Sequence, residues 1–417
     1  MKISSCIITK NEDENIGRCL ESVKNISDEI IVVDTGSTDN TVEIAKSSGA
    51  EVYFYEWDKN FSNAKNHALD KATGDWIIFL DADEYFEINT QKVIKDALKS
   101  VHNSKSIKGV LCKMIHTDGY NGRVLYETPN LRIFRGNCGI RFEGAIHEEP
   151  RINHRPFKLT ELHNSNLLIY HTGYALALVT EKNRRNLEIL NRQVANNEIT
   201  SLTYYYLSLT HHNLYNHEEA IKYALLALNE PSLEKTFVAY KPYVFLISSM
   251  IMLNNKYSPE YIQKYIDEAV SRFPDHPEIW YVKASAEKCR KDYPAAIDSY
   301  LKSLELNKNF KLLMHNNYPS MIENVYLSLA FLYKETGNVI KSLEYYFNAL
   351  RINKYNFKAF AQLYDLIKDQ PEAEILFFLN GIYDRTNKDD LVFLNNAMDK
   401  VGNTVLENYY YNLHEKL

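Results

Sequence analysis

Three carboxylates close the stretch "WIIFLDADEYF" at residues 76–86: Asp81, Asp83 and Glu84. Acids this near one another repel unless something positive lies between them, and hard oxygen donors such as Asp81 and Asp83 suit Mg2+ or Mn2+. A divalent cation held there would bridge a diphosphate and neutralise it as a leaving group. A second acidic group follows in "RFEGAIHEEP", where a carboxylate could take the proton of an incoming nucleophile. Glu148 is the favoured base and Glu143 the fallback. Adjacent side chains of an extended segment face opposite ways, so only one of Glu148 and Glu149 is expected to line a pocket. His171 in "IYHTGY" follows an apolar run and precedes a glycine turn; it is either a nitrogen ligand to the metal or a satisfied core histidine, and His147 competes for the ligand role. Lys182, Arg184 and Arg185 begin the next helix. They would close over a diphosphate as a basic lid, or else form a solvated helix face.

These groups need elements to aim them. Ile77, Ile78, Phe79 and Leu80 do not alternate with polar residues, which predicts a strand covered on both faces, as in a parallel sheet. Its acids then sit at the carboxyl end, the edge where open α/β sheets bind ligands. Earlier strands are expected in "KISSCIIT", "EIIVVD" and "EVYFYEW", with helices in "NEDENIGRCLESV", from Thr41 to the stop at Gly49, and in "FSNAKNHALDKATG". Strand–helix alternation implies right-handed crossovers and a doubly wound, mostly parallel sheet. Polar residues follow every strand, in "TKNEDE", "DTGSTDNT", "EWDKNFSNAKN" and "DADE". Neither a dinucleotide fingerprint nor a P-loop follows the first strand, so phosphate falls to a metal and side chains. Residues 107–170 read as an antiparallel or loop-rich extension.

From about residue 180 glycine nearly vanishes and amphipathic helices take over. "NHEEAIKYALLALN", "SPEYIQKYIDEAVSRFP", "DYPAAIDSYLKSLELN" and "GNVIKSLEYYFNALRIN" align on Ala220, Ile262, Ala296 and Ser342, with spacings of 42, 34 and 46 residues. The middle spacing is the tetratricopeptide period, and Trp280 stands where that repeat wants an aromatic. Three to four degenerate repeats are expected, stacked so that a concave surface remains. The domains are therefore placed at 1–199 and 200–417.

The chain has 417 residues, enough for two cores, and 48 basic against 54 acidic residues give a net charge of −6. That balance, with no long basic run, argues against nucleic acid or an anionic membrane as the main partner. Five scattered cysteines form no C-x-x-C, so neither a disulfide framework nor a zinc site is expected, and a reducing cytoplasm is the expected compartment. The opening residues do not read as a secretory signal, and no segment approaches the ~20 apolar residues of a spanning helix.

"CIITKNEDENIGRCLESV", "IVVDTGSTDNT", "FSNAKNHAL" and "IIFLDADE" together resemble the nucleotide-sugar-binding half of family-2 glycosyltransferases with the GT-A fold. "LRIFRGNCGIRFEGAIHEEP", "YHTGY" and "KNRRNLEIL", followed by tetratricopeptide-like helices, resemble the subgroup of bacteriocin-modifying peptide S-glycosyltransferases of the sublancin and thurandacin type. The resemblance implies that Thr9, Asn11 and Glu12 line the nucleotide and that Asp34 recognises the nucleobase. It also implies a ribose contact at Asp81, a metal ligand at Asp83, and His171 as a further ligand. Where the family often has arginine, Lys65 precedes Asn66; a lysine supplies charge to a phosphate but no bidentate fork.

The expected protein is an inverting, Mg2+- or Mn2+-dependent transferase that moves sugar from a UDP-sugar to a cysteine or serine of a peptide, plausibly a bacteriocin precursor. A cysteine acceptor, with a reference pKa near 8.5, needs only modest help from a base. Its rivals are a transferase acting on a cell-surface polysaccharide or lipid carrier, and a non-catalytic peptide-binding repeat scaffold. Tyrosine-rich helices such as "LTYYYLSL" and "ENYYYNLHEKL" predict a homodimer through the repeats.

Overall fold

The computed structural model describes residues 1–87, 90–117, 124–172, 176–199, 202–236, 238–308, 310 and 318–417. The glycine turn expected after His171 lies outside them. Two compact units emerge, one spanning Met1–Ser249 and the other Met250–Phe310 with Tyr318–Leu417. The expected division at 199/200 thus falls inside the first unit.

That unit begins with β1 (Ile3–Thr9), α1 (Ile16–Lys24), β2 (Glu29–Asp34), α2 (Thr41–Ser47), β3 (Glu51–Phe54), α3 (Phe61–Leu69) and β4 (Trp76–Asp81). β5 (Glu84–Phe86), α4 (Gln91–His102), β6 (Gly109–Thr117), β7 (Val124–Arg135), β8 (Ile140–Glu143), β9 (Glu149–Ile152) and β10 (Leu162–His171) follow. Eight strands form one sheet in the order β3-β2-β1-β4-β7-β6-β10-β5, and β8 pairs with β9 separately. β1 runs parallel to β2 and β4, whereas β7 is antiparallel to both β4 and β6. The expected parallel sheet and its antiparallel extension are therefore one continuous surface. Ile7, Val32, Ile78 and Leu80 pack on one face with α1, while Cys6, Val33 and Phe79 pack on the other with Ala64 and Ala68 of α3. Coverage of both faces explains why these strands read as unbroken apolar runs.

Three more helices lie in the unit, α5 (Leu176–Ala195), α6 (Thr203–Asn213) and α7 (His217–Leu228), and α8 (Lys241–Met252) runs across the division after Ser249. Ile189 and Leu190 of α5 and Leu207 of α6 share a core cluster with Ile146. This contact places α6 with the sheet.

The second unit is helical: α9 (Pro259–Arg272), α10 (Pro277–Cys289), α11 (Tyr293–Lys308), α12 (Tyr318–Glu335), α13 (Val339–Ile352), α14 (Phe357–Ile367), α15 (Glu372–Asn380), α16 (Lys388–Val401) and α17 (Thr404–His414). Ala296 and Ser342, two of the aligned small residues, are fully buried, as are Ala284 and Ala330 twelve positions earlier. Ser342 donates to the Ala330 carbonyl at 2.8 Å, and in the first unit Ser208 donates likewise to Ala220 at 2.9 Å. Small side chains at both positions let paired helices approach, which is the physical content of the repeat. No helix among the described residues is long and apolar enough to cross a membrane, and all five cysteines are free.

Candidate active site

The carboxyl ends of β1 and β4, the segment 146–149 and the start of α5 enclose a cavity of about 520 Å3. Its wall carries Glu12, Asp81, Asp83, Glu84, Glu148 and Glu149, six acids, against five bases, Lys10, Lys65, Arg132, Lys182 and Arg185. A diphosphate entering an acid-rich space needs an added cation to be held.

Each acid has a defined partner. Arg132 donates from Nε to Glu84 Oε2 at 2.8 Å, and from Nη2 to Glu84 Oε1 at 2.5 Å and Asp81 Oδ2 at 3.2 Å. Lys65, 3% exposed, bridges Asp81 Oδ1 at 2.9 Å and Glu148 Oε1 at 2.7 Å, with Phe79 and Phe142 rings each 5.3 Å from its ammonium. Burial would raise the Asp81 carboxyl, but Lys65 and Arg132 outweigh it and hold it below its ordinary value. Burial pushes Glu84 upward despite Arg132. Lys65 is driven above the ordinary lysine range because its two carboxylates overcome its burial.

Asp83 stands apart from that network. His171 Nε2 lies 3.3 Å from its Oδ2 and Lys182 Nζ lies 3.4 Å from the same oxygen. Burial opposes ionisation, yet these partners hold Asp83 well below the usual carboxylate range. His171 in turn is raised by Asp83 against its own burial. Its other nitrogen meets His116 Nδ1 at 2.9 Å, and His116 Nε2 reaches Thr128 Oγ1 at 3.0 Å. Such a chain fixes the ring orientation of a metal-binding histidine. Among the described residues no three or more His, Cys, Asp or Glu are placed to hold a metal ion together. One carboxylate and one imidazole fit an ion that draws its remaining ligands from water and phosphate oxygens, as Mg2+ and Mn2+ do.

At the β1 and β2 ends, Asp34 Oδ1 accepts from the Gly36 and Ser37 amides, both at 3.0 Å. Asp34 thus caps the turn before "GST". Its Oδ2, and Thr9 Oγ1 on the neighbouring strand, are buried with no hydrogen-bond partner among the described residues. Such atoms need a partner that the described residues do not supply, water or a ligand, and of the two residues Thr9 lines the cavity. Glu12 lines the cavity, and burial raises its carboxyl. Asn11 adopts a left-handed conformation (φ 53°) and is spent on the Ser37 and Thr38 turn.

Several expected residues do other work. Asn66 exchanges two hydrogen bonds with the Phe142 backbone, pinning α3 to β8 outside the cavity lining. Lys65, expected beside a phosphate, lies beneath Asp81 and Glu148. Arg185 lines the cavity over the Phe61 ring, whereas exposed Arg184 does not. Glu143 pairs with His154 at 2.7 Å and Arg151 at 3.7 Å, away from the cavity. Both Glu148 and Glu149 line it, which corrects the expectation of one alone. β9 starts only at Glu149, and Glu148 follows the left-handed His147 (φ 53°) outside the strand, so strand alternation does not govern the pair. His147 stacks on Tyr206 at 3.6 Å, away from Asp83, and burial lowers its imidazole to about 4.

Sequence reasoning missed Arg132 and His116. Arg132 precedes Ile133, which pairs with Ile78 of β4, and His116 is the register partner of His171. Only strand pairing reveals either contact.

Residues 4–105 match the model for "Glycosyl transferase family 2". The chain is 31% identical over 293 residues to the SPbeta prophage-derived glycosyltransferase SunS of Bacillus subtilis, covering 68% of this chain and 66% of that protein, just under two thirds of its length. A TPR repeat-containing protein of Synechococcus elongatus is 37% identical over 147 residues, 35% of each chain. Among solved structures, glucosyl-3-phosphoglycerate synthase from Mycobacterium tuberculosis in complex with Mn2+, UDP and glucosyl-3-phosphoglycerate is 25% identical over 28% of this chain and 45% of that one, at a TM-score of 0.24. A likeness so partial carries no inference about ligands.

Proposed function

The chain belongs to the family-2 glycosyltransferases through residues 4–105, and from that premise we propose that it transfers a sugar from a UDP-sugar to a peptide side chain with inversion. The observation that carries this reading is the meeting of Asp81, Asp83 and Glu148 in one cavity at the strand ends. The unpaired Asp34 Oδ2 supports a uracil, whose N–H would supply the missing donor, and Asp81 is available to a ribose hydroxyl. Asp83 and His171 would hold Mg2+ or Mn2+, which supplies charge neutralisation for the departing diphosphate. Lys182 and Arg185 add cationic donors on the same side.

Glu148 takes the acceptor's S–H or O–H proton as sulfur or oxygen attacks the anomeric carbon. The sugar–phosphate bond breaks on the opposite face, its electron pair leaving on UDP, and one displacement inverts the centre. Lys65 fixes the base: its ammonium holds one carboxylate oxygen and leaves the other for the proton. A cysteine acceptor, as in the peptide S-glycosyltransferases that the sequence resembles, asks least of that base. A homodimer through the helical unit belongs to the same proposal, supported by exposed apolar residues such as Ile340 and Phe377.

The test is incubation with a panel of UDP-sugars, Mg2+ or Mn2+, and cysteine- or serine-containing peptides, read by mass spectrometry. Hexose added to peptide is expected. UDP-sugars left intact under every combination would overturn the reading, and light scattering on the full chain decides the dimer.

A further inference from the structure

A second cavity, of about 290 Å3, adjoins the first within residues 1–249. The two share Ile146, His147, Glu149 and Tyr206 in their walls. The stacked rings of His147 and Tyr206, 3.6 Å apart and 7° from parallel, therefore stand between the cavity that holds Glu148 and this one.

The partition is built rigidly. Gly144 (φ 105°) and His147 (φ 53°) turn the chain back on itself, a conformation that a histidine adopts only when its surroundings impose it. The start of α3 imposes it: the Phe61 amide donates to the Ala145 carbonyl at 2.8 Å, and Ser62 donates to the Gly144 carbonyl at 2.6 Å. Burial and the nearby Arg185 keep His147 neutral at physiological pH, so its ring offers one donor and one acceptor. Burial and the charges of Glu149 and Glu148 keep Tyr206 protonated. Neither ring shows a hydrogen bond among the described residues. The pair therefore offers hydrogen-bonding atoms that the described residues do not use, beside the cavity that holds Glu148.

Beyond it Ile146, Leu190 from α5 and Leu202 before α6 supply apolar wall beside the polar Gln193 and Thr203. The cavity's two acids and one base are paired among themselves and with His154: Arg151 lies 3.7 Å from Glu143 and 3.5 Å from Glu149, and His154 lies 2.7 Å from Glu143. A charged occupant would have to compete with these pairs, while an aliphatic one would bury apolar surface against Ile146, Leu190 and Leu202.

We propose that this second cavity is an acceptor subsite that takes an uncharged aliphatic side chain of the peptide, one residue from the nucleophile, with the His147–Tyr206 pair bonding the intervening backbone. An extended peptide advances only ~3.3 Å per residue, so a neighbour of a residue at Glu148 stays within reach of the adjoining space. The inference rests on the peptide-transferase reading above.

It is tested with peptides Gly-Gly-Xaa-Cys-Xaa-Gly-Gly and their serine counterparts, with Xaa as Leu, Lys or Glu, the full chain, UDP-glucose and Mn2+. Leu peptides should exceed Lys and Glu peptides in kcat/KM by roughly tenfold or more, the discrimination of one apolar pocket. Gln193→Phe, which lines only the second cavity, should shrink that ratio to about threefold or less through a higher KM for the Leu peptide. UDP titration of the variant reports that its fold persists; should it not fold, the parent's preference among the peptides decides. Equal kcat/KM for the three peptides would overturn the subsite and leave the transferase standing. Transfer to none of them, nor to any peptide of the wider panel, would overturn both.

Discussion

Buried acids occur in both units, and they are spent differently. In the helical unit Asp390 is completely buried, yet its Oδ1 accepts from Tyr355 at 2.7 Å and pairs with Lys354 at 2.6 Å, while its Oδ2 accepts from the Asp384 amide at 2.8 Å. Its Oδ1 ties α16 to the turn between α13 and α14, and its Oδ2 ties it to the turn that precedes α16. In the sheet unit Asp83 and Glu148 are also paired, but with cations that line a cavity, and Asp34 keeps one buried oxygen unpaired. Buried charge alone is thus no sign of chemistry, because a fully satisfied carboxylate is a clasp. Charge that faces open space, or lacks a partner, is what marks a site.

The comparison can be broken most forcefully at Asp83. Asp83→Ala should lower transfer by roughly 10³-fold, the several kcal/mol that a bound metal contributes, and should abolish metal-dependent UDP binding. Turnover at the parental rate would remove the metal from the account. Glu148→Gln should cost about 10²- to 10⁴-fold in transfer while UDP binding persists. Should Glu149→Gln show that loss instead, the base is its neighbour, which lines the same cavity.

Asp390→Ala sharpens the other side. It should cost about 1–3 kcal/mol in thermal unfolding of the helical unit, by leaving the Asp384 amide without its acceptor. UDP affinity measured on the folded variant should equal that of the parent, and a large change there would merge the two kinds of acid.

A pH-dependent effect belongs to His147. Its folded value of about 4 lies below the ordinary 6.5, so the unfolded chain binds the proton first. Stability from its burial is complete above pH 6.5 and is lost as pH falls toward 4, by up to ~1.4 kcal/mol per pH unit. His212, also lowered to about 4 by burial and by His217, adds the same trend. His147→Phe should flatten part of the acid loss in thermal melts; an identical pH profile would mean that the imidazole is not buried neutral.

The strands were legible because burial on both faces writes long apolar runs, and the carboxyl-end acids followed from that pattern. Asp81, Asp83 and Glu148 were readable as local motifs. Arg132, His116 and the buried place of Lys65 were not, since each depends on pairing between strands or packing between elements far apart in sequence. Period-two alternation misled at Glu148 and Glu149, because left-handed His147 and Glu148 precede the strand that begins at Glu149. The repeats were legible at Ala296 and Ser342 through their small side chains, whereas α6, tied to Ile146 by Leu207, could be assigned to the sheet unit only from its packing.

The central claim, that acids facing open space at the strand ends await a nucleotide diphosphate and a cation, is met most directly by titration calorimetry. UDP is titrated into the full chain with and without Mn2+, alongside Asp83→Ala. The account predicts one binding event per chain that strengthens at least tenfold with Mn2+ in the parent and not in the variant. Equal affinity with and without the metal, or no binding of UDP at all, would contradict it.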